Sequence, residues 1–259
     1  MYSIKEYRIP GTLEEADKLL HEKKSNTLIA GGMWLRMSNR RIDTAVDLSR
    51  AGLDIIIETQ DSVRIGAMVT LHQLEEDPVT AVLWGGVLAQ AVKPIVGIQF
   101  RNSATVGASV YSRFGFSDVI TALLALDAQV TLYRGGVMSI EDFLKAPYSK
   151  DILTWITVPK GANAGYASLR RSSTDFPLLA VCVSNSDGKY RVSVGARPNK
   201  AMRCPKAEAC LEINDIEGAC EAVKLMPYGT NLRGSREYRA EMSAVLLTRA
   251  LENMGEVKA

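Results

Sequence analysis

Histidine is nearly absent from this chain: His21 and His72 are the only two among 259 residues. Cysteine is also sparse. Cys182, Cys204, Cys210 and Cys220 form no C-x-x-C pair. Zinc and iron–sulfur sites need clustered ligands of these two types, so the sequence offers no metal site. The four thiols read as reduced and structural. The shortage of histidine also argues against a Ser-His-Asp or Cys-His nucleophile. If the chain is an enzyme, its chemistry belongs to a bound cofactor. Long apolar runs are missing as well, and none approaches the roughly 20 residues that cross a bilayer. The N-terminus, MYSIKEYRIPGTLEE, has charges where a signal peptide has an apolar core. Charge of one sign is lacking too. A net +2, with both signs mixed along the chain, excludes an electrostatic case for nucleic acid or an anionic membrane. The expected setting is the cytoplasm.

What is present is an ordinary globular composition, 47% hydrophobic and 23% charged, long enough for one or two domains. The first segment alternates strand and helix. Tyr7 to Ile9 are extended and stop at Pro10-Gly11. Thr12 opens a helix, with Glu15 completing a capping box and Leu13, Ala16, Leu19 and Leu20 forming its apolar face. Thr27 to Ala30 and Ala45 to Leu48 are short strands.

A second segment begins near Leu53. LDIIIE and SVRIGA read as strands around a Gln60-Asp61 turn, Thr70 caps a helix through Glu76, and Ala81 to Val92 reads as another helix. RNSATVGASVYSRFGF reads as a small-residue loop before a helix capped near Ser117 or Asp118. A strand follows from Gln129 to Tyr133, and Gly135-Gly136 turns the chain back. After a linker at 159–165, three strands are expected at Ala164–Leu169, Leu178–Ser184 and Arg191–Gly195, with a hairpin turn at Asn185–Gly188. Helices follow at Lys206–Glu212, Asp215–Leu225 and Glu237–Glu252, which suggests a separate α+β domain.

Two small-residue stretches are candidates for ligand contact. In Ala30-Gly31-Gly32-Met33-Trp34 the glycine pair permits backbone N–H groups to share a concavity, and a helix beginning near Trp34 would add positive potential. The alternative is a plain tight turn. Ala104-Thr105-Val106-Gly107-Ala108-Ser109, followed by Ser112, Ser117 and Asp118, offers close approach and hydroxyl partners, or else is a polar loop before a helix cap. Neither is G-x-G-x-x-G, so a Rossmann site is not supported.

TLIAGGMWL, RNSATVGASV, SDVITALLALDAQVTL, RRSSTDFPLLAV and LRGSREYRAEMSAVLLTRALE occur here in the order seen in one family. Nearly the whole chain resembles the FAD-binding medium subunit of molybdenum hydroxylases, the group of xanthine dehydrogenase-like and carbon monoxide dehydrogenase-like enzymes. The resemblance implies an α+β fold. A two-part FAD-binding unit of the flavin-linked oxidase type spans 1–160, with subdomains 1–52 and 53–160. A C-terminal domain of three strands plus helices spans 164–259. It further implies noncovalent FAD. Leu28, Ile29, Ala30, Gly31 and Gly32 match the stretch that wraps the pyrophosphate, with Met33 and Trp34 in place of its usual polar pair. Ala104, Thr105, Val106 and Gly107 match the second motif. Ala108 and Ser109 replace a glycine and an asparagine there, and the alanine needs ordinary φ or carries strain. Ser112 and Asp118 match positions that meet FAD hydroxyls. Ile95 and Val96 match the stretch near the isoalloxazine ring, where the family often has an aromatic. A lysine usual after Tyr166 is absent. Arg170, Arg171, Asp175, Arg233 and Arg239 read as structural or interfacial.

By the same resemblance the chain has no catalytic residue or metal of its own. It is an oxidoreductase subunit that takes electrons from 2Fe–2S clusters in a small partner subunit and passes them to NAD or another acceptor. The substrate reacts at a molybdopterin centre in a large subunit. A flavin-free docking scaffold and a free-standing FAD-linked oxidase are the alternatives. The latter often attaches flavin through histidine or cysteine.

Overall fold

The computed structural model describes residues 2–256. Three sheets divide the chain. The first is parallel, in the order β1–β3–β2, built from β1 (Ser3–Arg8), β2 (Thr27–Ile29) and β3 (Arg41–Asp47). Helix α1 (Leu13–Glu22) joins β1 to β2 and buries Ala16 and Leu20. Thr12 accepts a hydrogen bond from the Glu15 N–H, as the capping pattern requires. The return bond does not reach Thr12, because the Glu15 carboxylate accepts from the Gly11 N–H instead.

The second sheet is antiparallel, in the order β4–β5–β8–β6–β7: β4 (Ile56–Glu58), β5 (Ser62–Gly66), β6 (Gln129–Leu132), β7 (Gly136–Ser139) and β8 (Leu153–Pro159). Strands β7 and β8, and the helix between them, lie where sequence patterning gives no assignment. Between β5 and β6 lie α2 (Leu71–Glu76), α3 (Val87–Val92), α4 (Ile98–Arg101), α5 (Val106–Tyr111) and α6 (Asp118–Ala125), and α7 (Ile140–Lys145) follows β7. Thr70 and Gln73 form the full capping box of α2. The single helix expected over 81–92 is broken. Trp84, Gly85 and Gly86 all take left-handed φ, held by the Trp84 indole N–H donating to the Pro159 carbonyl at 2.7 Å. The small-residue stretch expected as a loop contains α5 instead. Tertiary packing of Val106 and Val110 makes α5 worth forming in a sequence with no strong helical preference.

The third sheet has the antiparallel order β12–β11–β10–β9: β9 (Asn163–Leu169), β10 (Leu179–Ser186), β11 (Lys189–Gly195) and β12 (Met202–Arg203). The two-residue β12 is a fourth strand beyond the three expected. Helices α8 (Pro205–Glu212), α9 (Ile216–Lys224) and α10 (Arg236–Met254) complete the chain. Alternation along β10 splits its side chains between two cores. Ala180 and Cys182 join the core that holds α6, while Leu179, Val181 and Val183 join the core under α8–α10. All eight residues of α6 are consequently buried. Ser184 and Ser193 fix it by donating to the carbonyls of Ala125 and Thr121, both at 2.6 Å. This helix sets the position of Asp118 at its first turn. Arg239, 1% exposed, donates to the carbonyls of Leu178, Gly229 and Gly234 and to Asn231, which makes it the structural tie expected of it.

Candidate functional site

One cavity of about 690 Å³ opens between the three sheets. Leu28, Ile29, Ala30, Gly31, Gly32, Met33, Trp34, Ile95, Val96, Ala104, Thr105, Gly107, Ala108, Ser109, Ser112 and Asp118 all line it. Residues up to ninety positions apart in sequence therefore share one wall, at a size typical of small-molecule sites.

The first glycine turn leaves β2 and enters a single 3-10 turn, Leu35–Met37, rather than a helix. Among the described residues, the N–H groups of Gly31, Gly32, Met33 and Trp34 have no acceptor. Four successive unpaired donors on a cavity wall suit an anion with several oxygens. Gly32 sits at φ +67°. Gly31 matters for a different reason. A Cβ there would fall well inside van der Waals contact with the Ser103 carbonyl, so its absence lets the first turn rest on the backbone leading to the second.

In the second stretch the helix N–H groups are already paired. Thr105 caps α5, accepting from the Ala108 N–H at 3.2 Å. The Val106 and Gly107 N–H groups donate to the carbonyls of Val69 and Ala67 at 2.8 and 3.0 Å. Ala108 lies inside this helix without positive φ, so the alanine brings no strain. The Ser109 hydroxyl donates to the Thr105 carbonyl at 2.8 Å, and that of Ser112 to the Ser109 carbonyl at 3.3 Å. This motif shapes the cavity and supplies hydroxyl oxygens. It offers no free helix N–H groups.

Asp118 is 3% exposed and accepts from Arg170 Nη2 at 2.6 Å and from the Tyr166 hydroxyl. Burial pushes its carboxyl up, against the opposing pull of Arg170 and Tyr166. The Tyr166 phenol is raised well above its ordinary range by burial and by the Asp118 charge. Arg170 also donates to the Asp175 carbonyl, while its buried Nε–H has no acceptor among the described residues. Arg170 thus lines the cavity from the C-terminal sheet, a role that its basic surroundings in sequence did not signal. Elsewhere on the wall, Lys24, Arg40 and Lys150 have no carboxylate partner among the described residues, which gives that region positive potential. Lys150 is held below its ordinary pKa by burial and then by Arg40.

Val96 lies at φ 51° on the rim, a strained value for a β-branched residue. Arg101 pins the turn by donating to the Ile95 carbonyl at 3.1 Å, and is itself held by Glu75 at 2.8 Å. Val96→Gly relieves about 1–2 kcal/mol of left-handed strain and restores about 0.5–1 kcal/mol of unfolded-state entropy. Its urea midpoint should therefore equal or exceed that of the parent. A clear drop would show that the Val96 side chain contributes more by packing than it costs in strain.

The aromatic wall escaped sequence reasoning apart from Trp34. Phe100, Phe114, Phe116 and Phe176 line the cavity, four of the five phenylalanines in the chain. No histidine or cysteine does.

Residues 2–161 match the family model described as the FAD binding domain in molybdopterin dehydrogenase. The chain belongs to this family. It is 30% identical to the nicotine 6-hydroxylase medium subunit of Paenarthrobacter nicotinovorans, over 96% of each chain. It is 31% identical to the nicotinate dehydrogenase FAD-subunit of Eubacterium barkeri, over 67% of this chain and 66% of that one. In fold it is similar to a chain of carbon monoxide dehydrogenase from Hydrogenophaga pseudoflava, with a TM-score of 0.87, 24% identity and 98% of each chain covered. The family resemblance and the α+β FAD-binding fold both hold, and the chain is an FAD-binding oxidoreductase subunit of the molybdenum hydroxylase type. Among the described residues, no helix is long and apolar enough to cross a membrane.

Proposed function

We propose that this chain holds FAD noncovalently in the cavity, as the electron-transfer subunit of a cytoplasmic heterotrimer. Its partners are a small 2Fe–2S subunit and a large molybdopterin subunit, and NAD or another soluble acceptor takes the electrons. Residues 1–160 form the FAD-binding part and 164–259 the flavoprotein domain that closes the cavity. The observation that carries the reading is the run of four unpaired N–H groups at Gly31–Trp34, which suits a diphosphate. The hydroxyls of Thr105, Ser109 and Ser112 and the Asp118 carboxylate supply partners for sugar-alcohol hydroxyls on the same wall. Bound FAD supplies the exchange between one-electron and two-electron carriers. The residues around it bind, orient and shield the ring, and no protein acid or base is required.

Titrating the purified chain with FAD, followed by acid precipitation, tests this reading. Flavin absorbance near ~450 nm should follow the protein and pass wholly into the acid supernatant. The absence of histidine and cysteine from the cavity wall makes full release the expected result. No uptake of FAD would overturn the assignment, and flavin that stays with the precipitate would overturn its noncovalent part.

A further inference from the structure

Trp34 stands at the junction of two features. Its backbone N–H closes the run of unpaired donors at Gly31–Trp34. Its indole opens an aromatic cluster, with ring centroids 5.4 Å from Phe114, 5.2 Å from Phe116 and 5.6 Å from Phe176. Phe116 and Phe176 are 4.8 Å apart, and Arg233 lies over Phe176 at 5.3 Å. The cluster therefore joins the first glycine turn, the segment before α6 and the segment before β10. It is not a closed core. Trp34 and Phe114 are each 37% exposed, and both line the cavity. The 95–96 stretch, where the resemblance expects an aromatic near the flavin ring, offers only Ile95 and Val96.

We propose that Trp34 is a positioning residue that packs against the isoalloxazine ring of FAD, supplying from the glycine turn the aromatic surface that residues 95–96 lack. The inference rests on the FAD reading above. Connectivity supports it: the ribityl chain tethers the ring to the diphosphate, the aromatic surface begins at the residue that carries the last free N–H, and flavin emission separates this ring from the adenine at the other end. An exposed indole face gains from stacking on a planar ring, whereas aliphatic side chains give area alone.

Flavin emission reports this contact directly. An indole touching an excited flavin quenches it by transient electron donation, which phenylalanine is too hard to oxidise to do. Trp84 and Trp155 do not line the cavity, so an indole quencher there is Trp34. The experiment compares FAD bound to the full wild-type chain, Trp34→Phe and Trp34→Leu, with emission read per bound flavin and affinity read by titration. Trp34→Phe preserves the ring cluster. It should keep FAD affinity near that of wild type while emission rises severalfold. Trp34→Leu should raise emission and weaken FAD by about two- to tenfold. Bound flavin of unchanged emission in Trp34→Phe would overturn the proposal and leave the FAD assignment standing. Tyr111 and Tyr148, which also line the cavity, would then be the quenchers. Wild-type chain that takes up no FAD would overturn both.

Discussion

Asp118→Ala should destabilise the fold by about 3–5 kcal/mol, because it leaves the Arg170 guanidinium charged and without its partner. Arg170 is 8% exposed in its side chain and Asp118 4%, so little water reaches the lost contact. Tyr166 loses its acceptor in the same step. The variant should also shed FAD, and two causes would then be mixed. The double variant Asp118→Ala, Arg170→Met separates them. Removing both charges from a buried pair is often close to neutral, so urea unfolding should recover most of the loss. FAD retained after gel filtration should not recover if Asp118 meets a cofactor hydroxyl. A single variant that loses under about 1 kcal/mol would place this pair among weak surface ion pairs and refute the burial argument.

Gly31→Ala should cost the fold less, and its effect should centre on the site. The added methyl would meet the backbone carbonyl of Ser103, which cannot rotate away as a side chain could. The two motif-bearing segments must then separate. A cost of about 1–3 kcal/mol is expected from overpacking, with a large loss of FAD affinity because the free N–H groups move with the turn. Gly32→Ala is the matched comparison. Its Cβ meets only the Ala30 carbonyl, at 4.0 Å, and its expense is the left-handed φ of +67°, about 1 kcal/mol. Thermal unfolding and FAD titration of the pair should rank Gly31→Ala below Gly32→Ala in both stability and affinity. Equal effects would mean that φ, not the approach to Ser103, is the constraint at this turn.

Both glycine stretches were legible in the sequence, and each lines the cavity. Their division of labour was not legible. Local sequence reads Gly31-Gly32 and Ala104–Ser109 alike, as small residues suited to close approach. The structure gives a run of free N–H groups only to the first, because Thr105, Ala67 and Val69 already accept those that open α5 in the second. Arg170 read as structural. It is that, through Asp118, and it is also part of the cavity wall. The break at Trp84–Gly86 in the helix expected over 81–92 depends on the bond to Pro159, 75 residues away.

By itself the sequence determined the class of chemistry and the more strongly patterned elements. Scarce histidine and unclustered cysteine pointed to a cofactor, and period and capping residues marked α1, α2, α6 and the C-terminal helices. These are local properties, written in neighbouring side chains. The tertiary structure alone decided which residues face the cavity together. Trp34, Phe114, Phe116 and Phe176 come from three separate segments, and Asp118 meets Arg170 across 52 positions. Such contacts depend on how α6 is clamped between two sheets, and sequence periodicity carries no record of them.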